Sequence, residues 1–209
     1  MTGAGARRWL TLFLLGIQTG TALAAILRGQ VVRVVDGDTL VVADGRHRKV
    51  KVRLSGIDAP EKDQPYGRQS KVHLASLVLG KTVDVDWDKR DTYGRVIGRV
   101  LLAPGNCPDC EKQRDVGLAQ VRAGYAWWYR SESRELTRAE KSRYALVENG
   151  ARARQSGLWA APKPIAPWEW RHNPSSQASS PLAKTAVRIR KARTFIRHPV
   201  SGVRHWINS

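Results

Sequence analysis

Residues 49–54 read KVKVRL, a strict alternation of basic and apolar residues. Side chains of a β-strand point to opposite faces in turn, so the three apolar residues share one face and the three basic residues share the other. The stretch therefore predicts a strand with one face in a hydrophobic core and the other in solvent.

Four more strands are predicted around this one. Val-rich runs at 29–35 and 38–43 precede it, and an Asp-Gly pair after the second run is a hairpin turn signal. The first three strands therefore form a meander. Runs at 82–87 and 95–101 supply the fourth and fifth strands.

Helical spacing of apolar residues appears at 68–79, at 116–121 and at roughly 133–154. Five short antiparallel strands with a helix between the third and fourth is the order expected of an OB-type barrel. We therefore expect an α+β fold, a five-stranded Greek-key OB-fold barrel with three α-helices, in one domain over residues 26–172.

The composition limits the kind of protein. The 209 residues include 36 Lys and Arg against 18 Asp and Glu, a formal charge of +18, of which +9 falls on residues 26–180. With 42% apolar residues, the chain is neither wholly disordered nor a polytopic membrane protein. The positive charge favours a polyanionic partner such as nucleic acid. Two cysteines are too few for a disulfide framework or a four-ligand zinc site.

The two ends of the chain differ from this middle part. Residues 1–25 carry two arginines, an apolar run and an A-x-A pattern at 22–24, which favours a cleaved signal peptide and an exported, periplasmic or secreted protein. An uncleaved membrane anchor is the alternative, because the uncharged run is nearly long enough to span a bilayer. Residues 173–181 read as a polar linker. The basic tail at 182–209 is either an arm for nucleic acid, anionic membrane or cell wall, or a solvated extension.

Three short segments concentrate carboxylates and arginines. Residues 35–39, VDGDT, form the turn between the first two strands; residues 53–61, RLSGIDAPE, leave the third strand; residues 91–95, DTYGR, open the fifth. Each segment alone has an ordinary explanation, because Asp and Gly are common in turns and Pro restricts the residue before it.

The three segments can meet at one end of a five-stranded barrel. That arrangement gathers three carboxylates and two guanidiniums: Asp38, Asp58, Glu61, Arg53 and Arg95. Clustered carboxylates repel each other unless a cation neutralises them, and hard oxygen ligands suit Ca²⁺ or Mg²⁺. Two guanidiniums suit a phosphate. These groups together are what hydrolysis of a phosphodiester requires.

At these residues the chain resembles the staphylococcal nuclease (thermonuclease) family. The resemblance extends from about Gly29 to Trp159 and rests on segments in family order: VVDGDTL, VRLSGIDAPE, YGR, VRAG at 121–124 and GLW at 157–159. It implies an OB-fold barrel with three helices. It also implies a Ca²⁺-dependent nuclease that acts on DNA and RNA, carries one Ca²⁺ per domain and leaves 3′-phosphate ends. We expect a monomer.

The resemblance implies how the metal is held. Asp38 and Asp58 match the metal carboxylates of the family. Ala59 stands where the family uses a residue whose backbone carbonyl binds the metal, and that carbonyl survives the change of side chain. Asp36 would support the metal ligands without binding the metal itself.

The resemblance also implies how the reaction is catalysed. Glu61 matches the catalytic glutamate, which positions the attacking water or accepts its proton. Arg53 and Arg95 match the phosphate-binding arginines that act in catalysis. Tyr93 would contact a nucleotide of the substrate.

Two features depart from the family pattern or add to it. Residues 103–114 look inserted, and their Cys107 and Cys110 can form a small disulfide in an exported protein. A redox C-x-x-C is the rival interpretation, but no βαβ pattern surrounds it. The aromatic group at 125–129 either stacks bases of single-stranded nucleic acid or packs the helices against the barrel.

Two functions remain open at this point. The first is an exported Ca²⁺-dependent endonuclease for DNA or RNA. The alternative is a non-catalytic nucleic-acid-binding OB-fold module. A binding module need not keep all five charged site residues, and this chain has all of them.

Overall fold

Five strands close into a barrel in the computed structural model, which describes residues 25–104, 110–132 and 136–173. The barrel strands are β1 (Ala25–Val34), β2 (Thr39–Asp44), β3 (Lys49–Leu54), β4 (Thr82–Arg90) and β5 (Val96–Leu102). Neighbours in the order β3-β2-β1-β4-β5 pair antiparallel. A parallel pairing of β3 with β5, in which Val52 lies opposite Val96, closes the barrel. The expected OB-type barrel is confirmed.

All five expected strands are present, with boundaries that differ by a few residues. β1 begins at Ala25 instead of Gly29, because residues 25–30 pair with β4. The Asp-Gly turn joins β2 to β3 as expected. The carboxylate of Asp44, in this turn, accepts hydrogen bonds of 2.9 Å from the backbone N–H groups of Arg46 and Arg48.

The alternation in β3 predicts one of its two faces correctly. Val52 and Leu54 lie in the barrel core, and the two lysines of the opposite face are exposed. Arg53 is buried, however, against the expectation of a solvated basic face. The reason is an ion pair: Arg53 Nη2 lies 3.2 Å from Asp58 Oδ1. A buried cation needs such a partner, so this exception marks the site described below.

Three helices pack around the barrel at the expected places: α1 (Gly67–Val78), α2 (Val116–Arg122) and α3 (Arg138–Ala153). Their buried faces join the barrel core through apolar and aromatic side chains: Leu74, Val78, Val116, Val121 and Tyr144. α3 begins at a capping box, in which the Thr137 hydroxyl and the Glu140 carboxylate each accept from the other residue's backbone N–H.

A fourth short helix, α4 (Pro167–His172), goes beyond the three that were expected. The prolines before it predict irregular chain, but Pro167 lies in the first turn of α4, where its missing N–H breaks no helical bond. A second apolar cluster holds α4 and the preceding segment against the domain: Trp127, Ala151, Leu158, Trp159 and Ala166, with Tyr66 and Trp168 packed on it. The ring of Trp168 also stacks on Tyr129 at a centroid distance of 5.1 Å.

Some expectations lie outside the described residues. These are the signal peptide apart from Ala25, the linker after Asn173 and the tail at 182–209. Cys107 is outside them as well, so its disulfide with Cys110 stays a prediction. Within the described ranges, no helix combines the length and the apolar character that crossing a membrane requires.

Candidate active site

Asp38 lies in the turn between β1 and β2, which is bonded to the end of β3. Its backbone carbonyl accepts from the N–H of Leu54 at 2.8 Å. Its carboxylate accepts from the N–H of Ala59 at 3.1 Å and from the hydroxyl of Thr39 at 2.8 Å. Its own N–H donates to the Asp36 carboxylate at 3.1 Å. The turn VDGDT and the segment RLSGIDAPE therefore meet.

Side chains of α1 and α2 pack against the turn that carries Asp38. A Cβ on Gly37 would lie 2.0 Å from the hydroxyl oxygen of Ser70 in α1, so only glycine fits there. The buried Gln120 of α2 donates its Nε2 to the carbonyl of Gly37 at 2.7 Å and to the carbonyl of Ser70 at 3.2 Å. The position of the Asp38 backbone is thus fixed by packing from α1 and α2.

Asp58 is carried by a two-residue strand, Ile57–Asp58, that pairs with Trp127–Trp128. Its side chain is 2% exposed. Burial raises the pKa of Asp58, a hydrogen bond from Arg171 opposes the rise, and the charge of Asp38 adds to it. Burial and the charge of Asp38 also raise the pKa of Asp36, to about 6. Negative charge is therefore concentrated where water cannot fully solvate it.

Glu61 lies at the rim of the site, with its side chain 40% exposed. Its backbone N–H donates to Gln64 Oε1 at 3.0 Å, and Gln64 Nε2 donates to the carbonyl of Ile165 at 2.8 Å. The Glu61 carboxylate accepts from Arg171 Nη1 at 2.7 Å. Sequence patterns predict neither Gln64 nor Arg171 as a site residue, because the contacts of Gln64 with Ile165 and of Arg171 with Glu61 join positions more than 100 residues apart.

Arg171 extends from α4 to both acidic residues of the RLSGIDAPE segment. Besides Glu61, it contacts both carboxylate oxygens of Asp58, with Nη2 at 2.8 Å from Oδ2 and Nη1 at 3.2 Å from Oδ1. Arg171 therefore bonds both carboxylate oxygens of Asp58, and Arg53 is a second guanidinium partner on Oδ1.

Arg95 is held by its own turn. Its Nε lies 2.6 Å from Asp91 Oδ2, and the backbone N–H groups of Tyr93 and Arg95 donate to Asp91 Oδ1 at 2.9 Å. The guanidinium lies 5.5 Å from the centre of the Tyr93 ring, which is 84% exposed. Asp91 thus fixes the orientation of Arg95, whose guanidinium lies close to the exposed Tyr93 ring.

One cleft of about 370 Å³ brings the predicted residues together. Its lining includes all eight residues proposed to bind or support the metal, to catalyse the reaction or to contact the substrate: Asp36, Asp38, Arg53, Asp58, Ala59, Glu61, Tyr93 and Arg95. Arg171 and Asp91 line it too. Five carboxylates and three guanidiniums thus face the cleft, a formal charge of minus two in a strongly positive protein.

The lining fits a hard divalent cation in charge and in donor type. The donors are carboxylate oxygens, Ala59 lines the cleft beside them, and oxygen donors suit Ca²⁺ or Mg²⁺. Among the described residues, however, no three His, Cys, Asp or Glu side chains form a ready-made metal cage. Asp38 and Asp58 would therefore hold a cation whose remaining ligands are backbone, water or substrate oxygens, as such ions commonly accept.

Comparison with known proteins found similarities over much of the chain. Residues 51–161 match the family described as staphylococcal nuclease homologue, a range that contains Arg53, Asp58, Glu61 and Arg95 but begins after Asp38. An Escherichia coli protein described as an uncharacterized endonuclease is 41% identical over 166 residues, which are 79% of this chain and 98% of that protein. A micrococcal nuclease of Shigella flexneri is 38% identical over 148 residues, 70% of this chain and 82% of that protein. A staphylococcal-like nuclease of Arabidopsis thaliana is 36% identical over 126 residues, 60% of this chain and 34% of that protein. With its barrel, its cleft and these similarities, the chain belongs to the staphylococcal nuclease homologue family.

Proposed function

We propose that the protein is a metal-dependent endonuclease that hydrolyses phosphodiester bonds of DNA or RNA. The observation that carries this proposal is the cleft, where three carboxylates face two guanidiniums: Asp38, Asp58, Glu61, Arg53 and Arg95. The names of similar proteins, an endonuclease and a micrococcal nuclease, support the same activity.

Arg53 and Arg95 bind the scissile phosphate in this proposal. Each is oriented before substrate arrives, Arg53 by Asp58 and Arg95 by Asp91. Fixed charged donors stabilise phosphoryl oxygens most when negative charge increases in the transition state. Tyr93, exposed beside Arg95, contacts the adjoining nucleotide.

Glu61 orients the attacking water or accepts its proton. Its carboxylate is accessible to water, and Gln64 fixes its backbone. Asp38, Asp58 and the Ala59 carbonyl hold one Ca²⁺, which supplies Lewis acidity toward the phosphate when it is bound. Asp36 keeps Asp38 in place through the hydrogen bond to its N–H.

Three further parts of the proposal concern the protein as a whole. Export is supported by the A-x-A pattern after an apolar run at the start of the chain. The 3′-phosphate ends of the products are supported by the family resemblance. The excess of basic residues supports attraction of a polyanionic substrate, with contact of the tail to membrane or cell wall as an additional role.

The decisive experiment incubates the purified protein with single-stranded DNA, duplex DNA and RNA, with Ca²⁺ or with a chelator. We expect cleavage that the chelator abolishes. Glu61→Gln should lower the rate by about 10²–10⁴ while the variant still folds, because it removes the proposed general base and keeps the shape of the side chain. Glu169→Gln is the matched control, since Glu169 is exposed on α4, and it should leave the rate unchanged.

Two results would contradict the proposal in different ways. Full activity of Glu61→Gln would remove the role assigned to that residue. Binding of nucleic acid without any chelator-sensitive cleavage would favour the alternative, a non-catalytic binding module.

A further inference from the structure

Arg171 forms ion pairs with two acidic residues on which the proposed chemistry depends. Its guanidinium donates to both oxygens of Asp58 and to Glu61, at 2.7 to 3.2 Å. With the additional bond from Arg53, Asp58 accepts three side-chain hydrogen bonds. A carboxylate offers about four lone-pair directions, so little of Asp58 is left for another cation.

The scaffold around Arg171 holds its backbone at this place. Trp170, the preceding residue on α4, is buried at 3% exposure, and Trp168 packs on Trp127 and Tyr129. The chain entering α4 is tied to the site by the bond from Gln64 to the carbonyl of Ile165. The docking of α4 on the domain therefore places the positive charge of Arg171 beside the carboxylates of Asp58 and Glu61.

A divalent cation that binds Asp58 competes with Arg171 for its oxygens. Both need the lone pairs of Asp58, and two positive charges within a few ångströms repel each other strongly in a partly buried site. With Arg171 counted, the carboxylates lining the cleft still exceed the guanidiniums by two, so the cleft attracts a divalent cation more strongly than a single positive charge. A divalent cation can consequently displace Arg171, but only by breaking its bonds to Asp58 and Glu61.

We propose, resting on the function proposed above, that Arg171 is a positioning residue that sets the affinity of the site for its divalent cation. In the cation-free protein, the guanidinium of Arg171 offsets the repulsion between the carboxylates of Asp58 and Glu61. It leaves Asp58 when the cation binds. The side chain of Arg171 is 39% exposed, so it has room to turn toward solvent while α4 stays docked.

Calorimetric titration of Ca²⁺ into the full-length protein tests this inference. Arg171→Ala should bind Ca²⁺ about tenfold or more tightly than the unmodified chain, because charge-assisted hydrogen bonds no longer have to be broken. Arg154→Ala removes the same charge from an exposed position, where Nη2 of Arg154 donates to the carbonyl of Arg122 at 3.4 Å. It should shift the affinity by less than about threefold, as general electrostatic attraction predicts.

Thermal unfolding supplies a readout that is independent of catalysis. With chelator present, Arg171→Ala should melt below the unmodified protein, because Asp38, Asp58 and Glu61 lose a compensating charge. Saturating Ca²⁺ should close or reverse that difference. If the alanine variant does not fold, Arg171→Lys, which keeps the charge and loses the two-pronged geometry, should bind Ca²⁺ more tightly than the unmodified chain by a smaller factor.

The outcomes separate this inference from the proposed function. Equal Ca²⁺ affinity in the Arg171 variants and the unmodified protein, with both binding, would overturn the inference and leave the metal-dependent nuclease intact. Binding only after Arg171 is replaced would support it most strongly. Binding by none of the proteins would overturn both.

Discussion

Gln64 joins the backbone of Glu61, the proposed general base, to the segment that enters the last helix, and its replacement tests whether that link is structural. The side chain is 6% exposed and makes two hydrogen bonds, at 3.0 Å from the Glu61 N–H and at 2.8 Å to the Ile165 carbonyl. Gln64→Ala removes both and leaves a backbone donor and a backbone acceptor without their partners. A buried group that loses its partner destabilises a fold by about 1–3 kcal/mol, with the lower end applying where water can enter. We therefore expect a loss of about 2–3 kcal/mol in the free energy of unfolding.

Urea unfolding followed by tryptophan fluorescence measures this loss, since several tryptophans lie in the cluster against α4. Gln69→Ala is the matched control, because Gln69 is an exposed residue of α1 and the substitution should change stability by less than about 0.5 kcal/mol. If both variants lose the same stability, the bridge between Glu61 and Ile165 contributes nothing and the reasoning fails.

Two further predictions test the turn of Asp38 and the start of α3. Gly37→Ala should destabilise the fold by about 1–3 kcal/mol because its Cβ would meet Ser70, whereas Gly45→Ala, with open space around it, should be close to neutral in the same melting assay. Burial raises the pKa of Glu140, but hydrogen bonds from Thr137 and the charge of Arg99 outweigh it, so the pKa is lowered on balance. The stability that Glu140 supplies is present above its unfolded pKa and is lost as the pH falls through its folded pKa. Glu140→Gln should therefore be less stable than the unmodified protein at pH 7, and the difference should shrink as the pH is lowered toward 3; an unchanged difference between these pH values would contradict the pairing.

The barrel could be predicted from the sequence because the patterns that indicate its strands, turn and helix each lie within a short stretch of chain. Strand alternation, the Asp-Gly turn and the helix between the third and fourth strands each follow from neighbouring residues. The residues of the cleft could be predicted for a different reason, since three recognisable segments carry them. Arg53 shows the limit of pattern alone, because its place in the alternation indicates solvent and only its partner Asp58 explains its burial.

The contribution of the last helix could not be predicted. α4 has six residues, too few for a periodic pattern, and the prolines before it suggest irregular chain. Gln64 and Arg171 act through contacts between distant parts of the chain, which depend on how the tryptophan cluster packs. Such pairings arise only after the fold has formed.

The closing seam of the barrel has a consequence for the order of assembly. β3 carries Arg53, and Arg95 immediately precedes β5, so the two arginines come together only when these strands pair. This pairing is long-range in sequence and is the contact that turns an open sheet into a barrel. The two arginines of the proposed phosphate site would thus come together only when the barrel closes, and the return of the proposed nuclease activity during refolding would report that step.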